Sequence, residues 1–142
     1  MTAKEFLGRY RMLNIEIAAK REQADSIREL AESVSHFSNA GGHNGGNGDR
    51  VGRYVAKLVD LENEIIVQTD RLVELKREIE DFIAAVDNPT LRQLLTLKYI
   101  NDLTWEQVAE RLNKSWRHTM RLHKIALKNF ENVMVCHIDA VL

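Results

Sequence analysis

Four basic side chains recur at helical spacing near the carboxyl end of the chain. They are Arg117, Arg121, Lys124 and Lys128. Their spacing of i, i+4, i+7 and i+11 places them on one face of a helix. The segment from Lys114 to Lys128 holds five basic residues, two histidines and no acid. A helix face of one sign indicates a polyanionic partner.

The net charge of −1 conceals an uneven distribution along the chain. Residues 1–89 carry 12 basic and 16 acidic side chains, a balance of −4, whereas residues 90–142 carry 8 and 5, a balance of +3. The alternative interpretation of the basic face is an ordinary solvated helix surface. Such a surface normally mixes both signs, so the composition favours the polyanion.

The residues before this face carry the start signals of two helices. Thr104 suits the N-cap of one helix, and Gln107 three residues later completes a capping box. Ser115 suits the N-cap of the next helix. Between them, Asn113 tolerates the left-handed backbone of a tight turn. The pattern predicts a helix-turn-helix whose second helix, residues 116–130, enters the major groove of DNA.

Apolar residues at helical spacing predict the inward faces of the motif. They are Trp105, Val108, Ala109 and Leu112 in the first helix and Thr119, Leu122, Ala126, Phe130 and Val133 in the second. Trp105 is expected to belong to this core. Asn88 and Pro89 predict the start of a supporting helix that continues to Ile100.

Eight residues are candidates for contact with DNA: Lys114, Ser115, Trp116, Arg117, Met120, Arg121, Lys124 and Lys128. Arg117 and Arg121 are the candidates for base edges, because a guanidinium can bond both acceptors of a guanine. The alternative for both is contact with phosphates alone. Lys114, Lys124 and Lys128 are expected to bind phosphates.

The other three candidates each have a structural alternative. Ser115, with the amides of the helix start, could hold a phosphate. Met120 could contact a thymine methyl group or be an exposed methionine without a role. Trp116 could pack on the sugar-phosphate backbone or close the core of the motif.

No pattern predicts a metal site or catalysis. His118 and His123 are five residues apart on a helix and therefore point to different faces, and Cys136 and His137 form a single adjacent pair. We expect a protein that is not an enzyme and has no cofactor or metal. A single cysteine and the lack of a signal-peptide or membrane-spanning pattern favour the cytoplasm.

Heptad patterns predict two long helices in the first half of the chain, residues 4–35 and 50–86. A Gly/Asn-rich loop of residues 38–49 separates them and is expected to be flexible. Glycines before a helix can bind phosphate, but this loop lacks the Lys-Ser/Thr pair and the spacing of such loops. The apolar seam of the first helix is Phe6, Tyr10, Leu13, Ile17, Ala24, Ile27, Ala31 and Val34, and that of the second is Tyr54, Leu58, Leu61, Ile65, Leu72, Leu75, Ile79, Phe82 and Val86. Pairing residues whose numbers sum to 88 or 89 aligns the two seams as an antiparallel hairpin. The polar interruptions Lys20 and Gln68 then face each other and are expected to specify the register.

The predicted fold is therefore all-α, a long antiparallel coiled-coil hairpin of residues 1–87 followed by a three-helix, helix-turn-helix domain of residues 88–133. An apolar tail, residues 134–142, either extends the last helix or packs back on the coil. Apolar residues outside the seams require a further partner surface, which is either the C-terminal domain or a second copy in a homodimer. They are Leu7, Val55, Val59 and Ile83.

From Leu91 to Leu127 the chain resembles the region-four DNA-binding domain of primary bacterial sigma factors. The matching residues are Thr104, Glu106, Val108, Ala109, Leu112, Ser115, Lys124, Ala126 and Leu127. Asn113 replaces the usual turn glycine, and Trp116 stands where an arginine is frequent. Over nearly its full length, the chain looks like small phage and prophage proteins of Gram-positive bacteria that are grouped with the ArpU/RinA-type regulators of late phage genes.

The resemblance implies a sequence-specific, DNA-binding transcriptional regulator, with bacterial RNA polymerase as a further partner of the coil. Regions that would make the chain a full sigma factor are not matched. Two alternatives remain at this point. One is a phage DNA-packaging or architectural protein, and the other is a coiled-coil scaffold that does not bind DNA.

Overall fold

The computed structural model describes the backbone of residues 1–40 and 45–141, and the side chains of residues 1–36 and 48–141. Its helices are α1 (Ala3–Ala40), α2 (Gly45–Ala84), α3 (Pro89–Leu95), α4 (Trp105–Leu112) and α5 (Trp116–Val141). A π-helical turn, Thr96–Ile100, continues α3. These described residues contain no strand, and the all-α prediction is confirmed. None of the described helices is long and apolar enough to cross a membrane.

Burial along the two long helices follows the heptad prediction. In α1 every seam position from Phe6 to Val34 is buried or half-buried, and nearly all other described side chains are exposed. The same holds for the seam of α2 from Tyr54 to Val86. The seams therefore form because each helix carries one apolar stripe that it cannot bury alone.

Residues Asn14–Arg71 form one compact unit. Within it α1 and α2 run antiparallel, because residues 16 and 28 of α1 bond to residues 68 and 62 of α2. Arg28 Nη2 lies 2.8 Å from Glu62 Oε1, which agrees with the predicted register. Val55 and Val59 remain 47% and 49% exposed, so the described residues of this unit leave about half of each side chain uncovered.

The polar interruptions of the two seams are both half-buried in this unit. Each bonds to a carboxylate of the opposite helix: Lys20 Nζ lies 3.4 Å from Glu64 Oε2, and Gln68 Nε2 donates to Glu16 Oε2 at 3.5 Å. The Gln68 Oε1 atom is buried without a described hydrogen-bond partner. The two polar residues therefore form a layer through flanking glutamates, an arrangement the seam pattern alone did not predict.

The second compact unit comprises Met1–Leu13 and Leu72–Leu142, so the predicted boundary at residue 87 falls inside it. Its centre includes three phenylalanines from α1, α2 and α5. The ring centroids of Phe6 and Phe82, and of Phe82 and Phe130, are 5.7 Å apart, and those of Phe6 and Phe130 are 6.1 Å apart. Leu7 and Ile83 are buried in the same core. The C-terminal domain thus provides the surface predicted for these two residues.

The predicted loop of residues 38–49 is wrong at both ends. Helix α1 continues to Ala40, and α2 begins at Gly45, while residues 41–44 lie outside the described part of the chain. Glycine and asparagine disfavour helix by about 1 kcal/mol or less each relative to alanine. Extending an existing helix is much easier than nucleating one, so a long adjoining helix can overcome that preference. The apolar tail continues α5 to Val141. Its His137 ring also lies 5.3 Å from the Phe82 ring of α2, so the tail both extends the last helix and packs back on the second long helix.

Candidate nucleic-acid interface

The turn between α4 and α5 is built by the side chains that the sequence pattern predicted. The Gln107 backbone N–H donates to Thr104 Oγ1 at 3.3 Å, and the Thr104 N–H donates to Gln107 Oε1 at 3.0 Å. Asn113 ends α4 with φ 55° and ψ 46°, the left-handed conformation. Ser115 Oγ then accepts the His118 N–H at 3.1 Å. These contacts confirm the predicted capping box, turn and second N-cap, and thus the helix-turn-helix.

The inner face of α5 is fixed by packing and by one local hydrogen bond. Thr119, Ala126 and Phe130 are fully buried. The Thr119 hydroxyl donates to the Ser115 carbonyl at 2.8 Å, so this polar side chain is satisfied inside the core. Val108 of α4 is also fully buried. The predicted inward faces of both helices are confirmed, and they determine which face of α5 remains outside.

A second set of contacts holds α5 from behind through His123, which is 8% exposed. Its Nε2 atom lies 2.6 Å from the hydroxyl of Tyr99, in the π-helical turn. Its ring centroid is 4.4 Å from that of Trp105, at the start of α4. Lys98 Nζ lies 4.8 Å from the Trp105 ring centroid, a cation–π distance. Trp105 therefore packs against the core, as predicted, and His123 links three elements.

Burial keeps both partners of this hydrogen bond neutral. Desolvation, with a smaller effect from the charges of Lys4 and Lys98, lowers the pKa of His123 to about 4. Desolvation raises the pKa of Tyr99 to about 12. A neutral imidazole and a neutral phenol can share a hydrogen bond without placing a charge in the core. Sequence patterns missed this role because the two partners are 24 residues apart.

The basic side chains of the candidate interface lie on the opposite face of α5. They are Arg117, Arg121, Lys124 and Lys128, and all four are exposed, as is Lys114 in the turn. Among the described residues, none of the five forms an ion pair. We call these five residues the basic stripe. Its charge is therefore available to an external anion.

The remaining candidates differ in exposure. Ser115 is exposed, and its hydroxyl already accepts an N–H within α5. Trp116 is 56% exposed and so does not close the core of the motif. Met120 is half-buried, so part of its side chain remains accessible to a ligand. Ile125, which was not among the predicted contacts, is 50% exposed. It lies four residues after Arg121 and three before Lys128, and so borders the basic face. Its position within a basic face is the signal that could have identified it as an apolar contact.

The histidines behave as the helical spacing indicated. His118 is exposed and His123 is buried, so they lie on different faces of α5. Within the residues that the structure describes, no group of three or more His, Cys, Asp or Glu side chains could hold a metal ion. The arrangement of the site is therefore that of a charged, rigidly backed surface.

Comparison with known proteins identifies the family of the chain. A family model described as a protein of unknown function, DUF1492, matches residues 31–131, more than two-thirds of the chain. No curated protein and no solved structure matches the chain. The matched range includes α3, α4 and the whole basic stripe. The chain belongs to the DUF1492 family.

Proposed function

We propose that this member of the DUF1492 family is a cytoplasmic, sequence-specific, double-stranded-DNA-binding regulator of phage or prophage transcription. The first half of α5 enters the major groove, and the coil formed by α1 and α2 contacts a partner such as bacterial RNA polymerase. The proposal rests on the exposure of the basic stripe on the outer face of the second helix of a helix-turn-helix.

Unpaired charge supports a DNA partner. An exposed cation that already forms an ion pair must lose that pair before it binds a phosphate, whereas the five cations of the stripe have no such partner among the described residues. Phosphate contacts release counterions from DNA, and this release supplies much of the affinity. The stripe also has the length of a major-groove contact, because Arg117 to Lys128 spans eleven helical rises, about 16 Å.

Rigid support of α5 favours readout of sequence as well as charge. Base recognition needs side chains held in a fixed register against the groove. The inner face of α5 is held by fully buried Thr119 and Phe130 and by the contact between His123 and Tyr99. In the proposed complex, Arg117 and Arg121 read base edges. Ile125, between them and Lys128, contacts a thymine methyl group.

The remaining cations position the helix on the DNA backbone. Lys114, Lys124 and Lys128 contact phosphates, and Ser115 with the first amides of α5 holds a further phosphate. Trp116, exposed in the first turn of α5, packs against the sugar-phosphate backbone. These contacts carry little sequence information and should weaken with salt for every DNA sequence.

Selection from a random duplex library, followed by binding measurements at several salt concentrations, tests the proposal. We expect the full chain to enrich a defined sequence. With about four phosphates neutralised, the slope of log affinity against log salt should be near −4. Enrichment of no sequence, with no salt-dependent affinity for any duplex, would support the coiled-coil scaffold instead.

Arg121→Ala distinguishes base readout from general attraction. On the selected sequence the variant should lose about 1–3 kcal/mol of binding free energy, and on random duplex much less. Lys57→Ala, which removes an exposed cation from α2, is the matched control and should bind both duplexes like the unaltered chain. Equal losses for Arg121→Ala on both duplexes would remove Arg121 from base readout and favour an architectural DNA-binding role.

A further inference from the structure

A groove lies between α2 and α5 in the unit that contains the helix-turn-helix, beyond the carboxyl end of the basic stripe. Its cavity volume is about 790 Å³. Residues from Glu74 onward line one side, and Asn129 to His137 of α5 line the other. No residue of the basic stripe borders the groove. The groove is therefore a surface separate from the one proposed for DNA.

The floor of the groove is apolar. Phe82 and Val86 are almost completely buried beneath it, while Val133 is half-buried and Cys136 is exposed. On α5 the lining extends over eight helical rises, about 12 Å, or a little more than two turns. A lining of this length with an apolar floor fits one face of an amphipathic helix, with anchors at i, i+3 or i+4, and i+7.

The two walls differ in charge, and this difference specifies the flank of the incoming helix. The α2 side presents four acidic side chains, Glu74, Glu78, Asp81 and Asp87, with a single basic residue, Arg77. None of these five side chains forms an ion pair among the described residues. The α5 side is polar but uncharged where it presents asparagines. A helix with basic residues along the edge next to α2 would neutralise the wall.

We propose that the groove binds an amphipathic helix of a partner protein, with its apolar face over Val133 and Cys136 and with lysines or arginines against the acidic wall. The acidic wall repels DNA, so the groove and the basic stripe recognise partners of opposite charge. Binding at the groove leaves the stripe free, and one chain can therefore hold DNA and a basic partner helix at the same time.

Cys136 provides a direct test, because it is the only cysteine of the chain, it is exposed, and it lines the groove. The probe is a synthetic 14-residue helix with leucines on one face and lysines along one edge. The control peptide carries glutamates in place of the lysines. With the basic peptide at ten times its dissociation constant, alkylation of Cys136 by a maleimide should slow about tenfold. The acidic peptide should leave the rate unchanged.

Charge reversal tests the wall itself. Glu78→Lys combined with Asp81→Lys should weaken binding of the basic peptide about tenfold or more, because like charges then face each other. Glu29→Lys combined with Glu32→Lys makes the same change of net charge at exposed positions of α1 that do not line the groove, and should change the affinity less than about twofold. Circular dichroism confirms that both variants remain helical.

Three results would overturn the proposal. The first is an unchanged rate of Cys136 alkylation although the basic peptide binds, and the second is an equal loss of affinity in both charge-reversal variants. The third is protection of Cys136 as the concentration of the protein alone increases, which would assign the groove to a second copy of the chain. None of these measurements involves DNA, so their outcome is independent of the proposed DNA-binding function.

Discussion

Protonation of His123 should destabilise the protein at mildly acidic pH. The imidazole is largely buried behind the basic stripe, where it contacts Tyr99 and Trp105. Desolvation holds its pKa at about 4 in the folded chain, against 6.5 for an ordinary histidine. As the pH falls, the unfolded chain therefore binds the proton before the folded chain does. Stability from this group is highest above pH 6.5 and is lost as the pH falls from 6.5 toward 4.

The size of the effect follows from the pKa difference. Each pKa unit corresponds to about 1.4 kcal/mol, so the difference between 6.5 and about 4 sets an upper limit of about 3.5 kcal/mol for the whole interval. Part of the imidazole still meets solvent, which screens the charge, so we expect a loss of about 1–2 kcal/mol between pH 7.5 and 4.5. For a protein of ordinary stability this is a large fraction of the total.

Urea unfolding at the two pH values provides the assay. His123→Gln removes the titrating group, so the variant should lose about 1–2 kcal/mol less than the unaltered chain over the same interval. The control is His118→Gln, which replaces an exposed histidine on the same helix. Its loss of stability between the two pH values should equal that of the unaltered chain. If His123→Gln shows the same pH dependence as the unaltered chain, the buried, neutral histidine is not the cause.

Three further predictions concern the packing, the turn and the coil. Phe130→Ala should lower the free energy of unfolding by about 3–5 kcal/mol in urea titrations, because Phe130 is fully buried. The control Ile138→Ala, at an exposed position, should change the free energy of unfolding by less than about 0.5 kcal/mol. Asn113→Ala should cost about 1 kcal/mol in thermal unfolding and Asn113→Gly less, because the backbone there is left-handed. Gln68→Leu should raise the free energy of unfolding in urea by about 1 kcal/mol, because it removes a buried oxygen without a described hydrogen-bond partner. An unchanged or lower free energy of unfolding would contradict this reason.

The sequence predicted features that depend on neighbours along the chain. The capping box of Thr104 and Gln107 and the left-handed Asn113 were predictable because each needs only residues within one turn. The apolar seams were predictable because helical periodicity shows directly which side chains share a face. The exposed position of the basic stripe follows from the same periodicity, since the buried face of α5 leaves the opposite face outside.

Features that depend on distant residues were not predictable in this way. The contact between Tyr99 and His123 joins a π-helical turn to α5, and no local pattern specifies it. The seam pattern placed Lys20 opposite Gln68 but could not identify the glutamates that each would bond. The helical Gly45 start of α2 was missed because local propensity disfavours a helix there.

Backbone amide NMR of the full chain, recorded while a 20-base-pair duplex of random sequence is added at low salt, tests whether α5 is the helix that binds DNA. We expect the largest chemical-shift changes between Lys114 and Lys128, with little change in residues 14–36 and 48–71. These changes should reverse when salt is added, because the contacts are mainly to phosphates. Changes confined to the coil, or no change at any DNA concentration, would contradict the assignment of α5 as the DNA-binding helix.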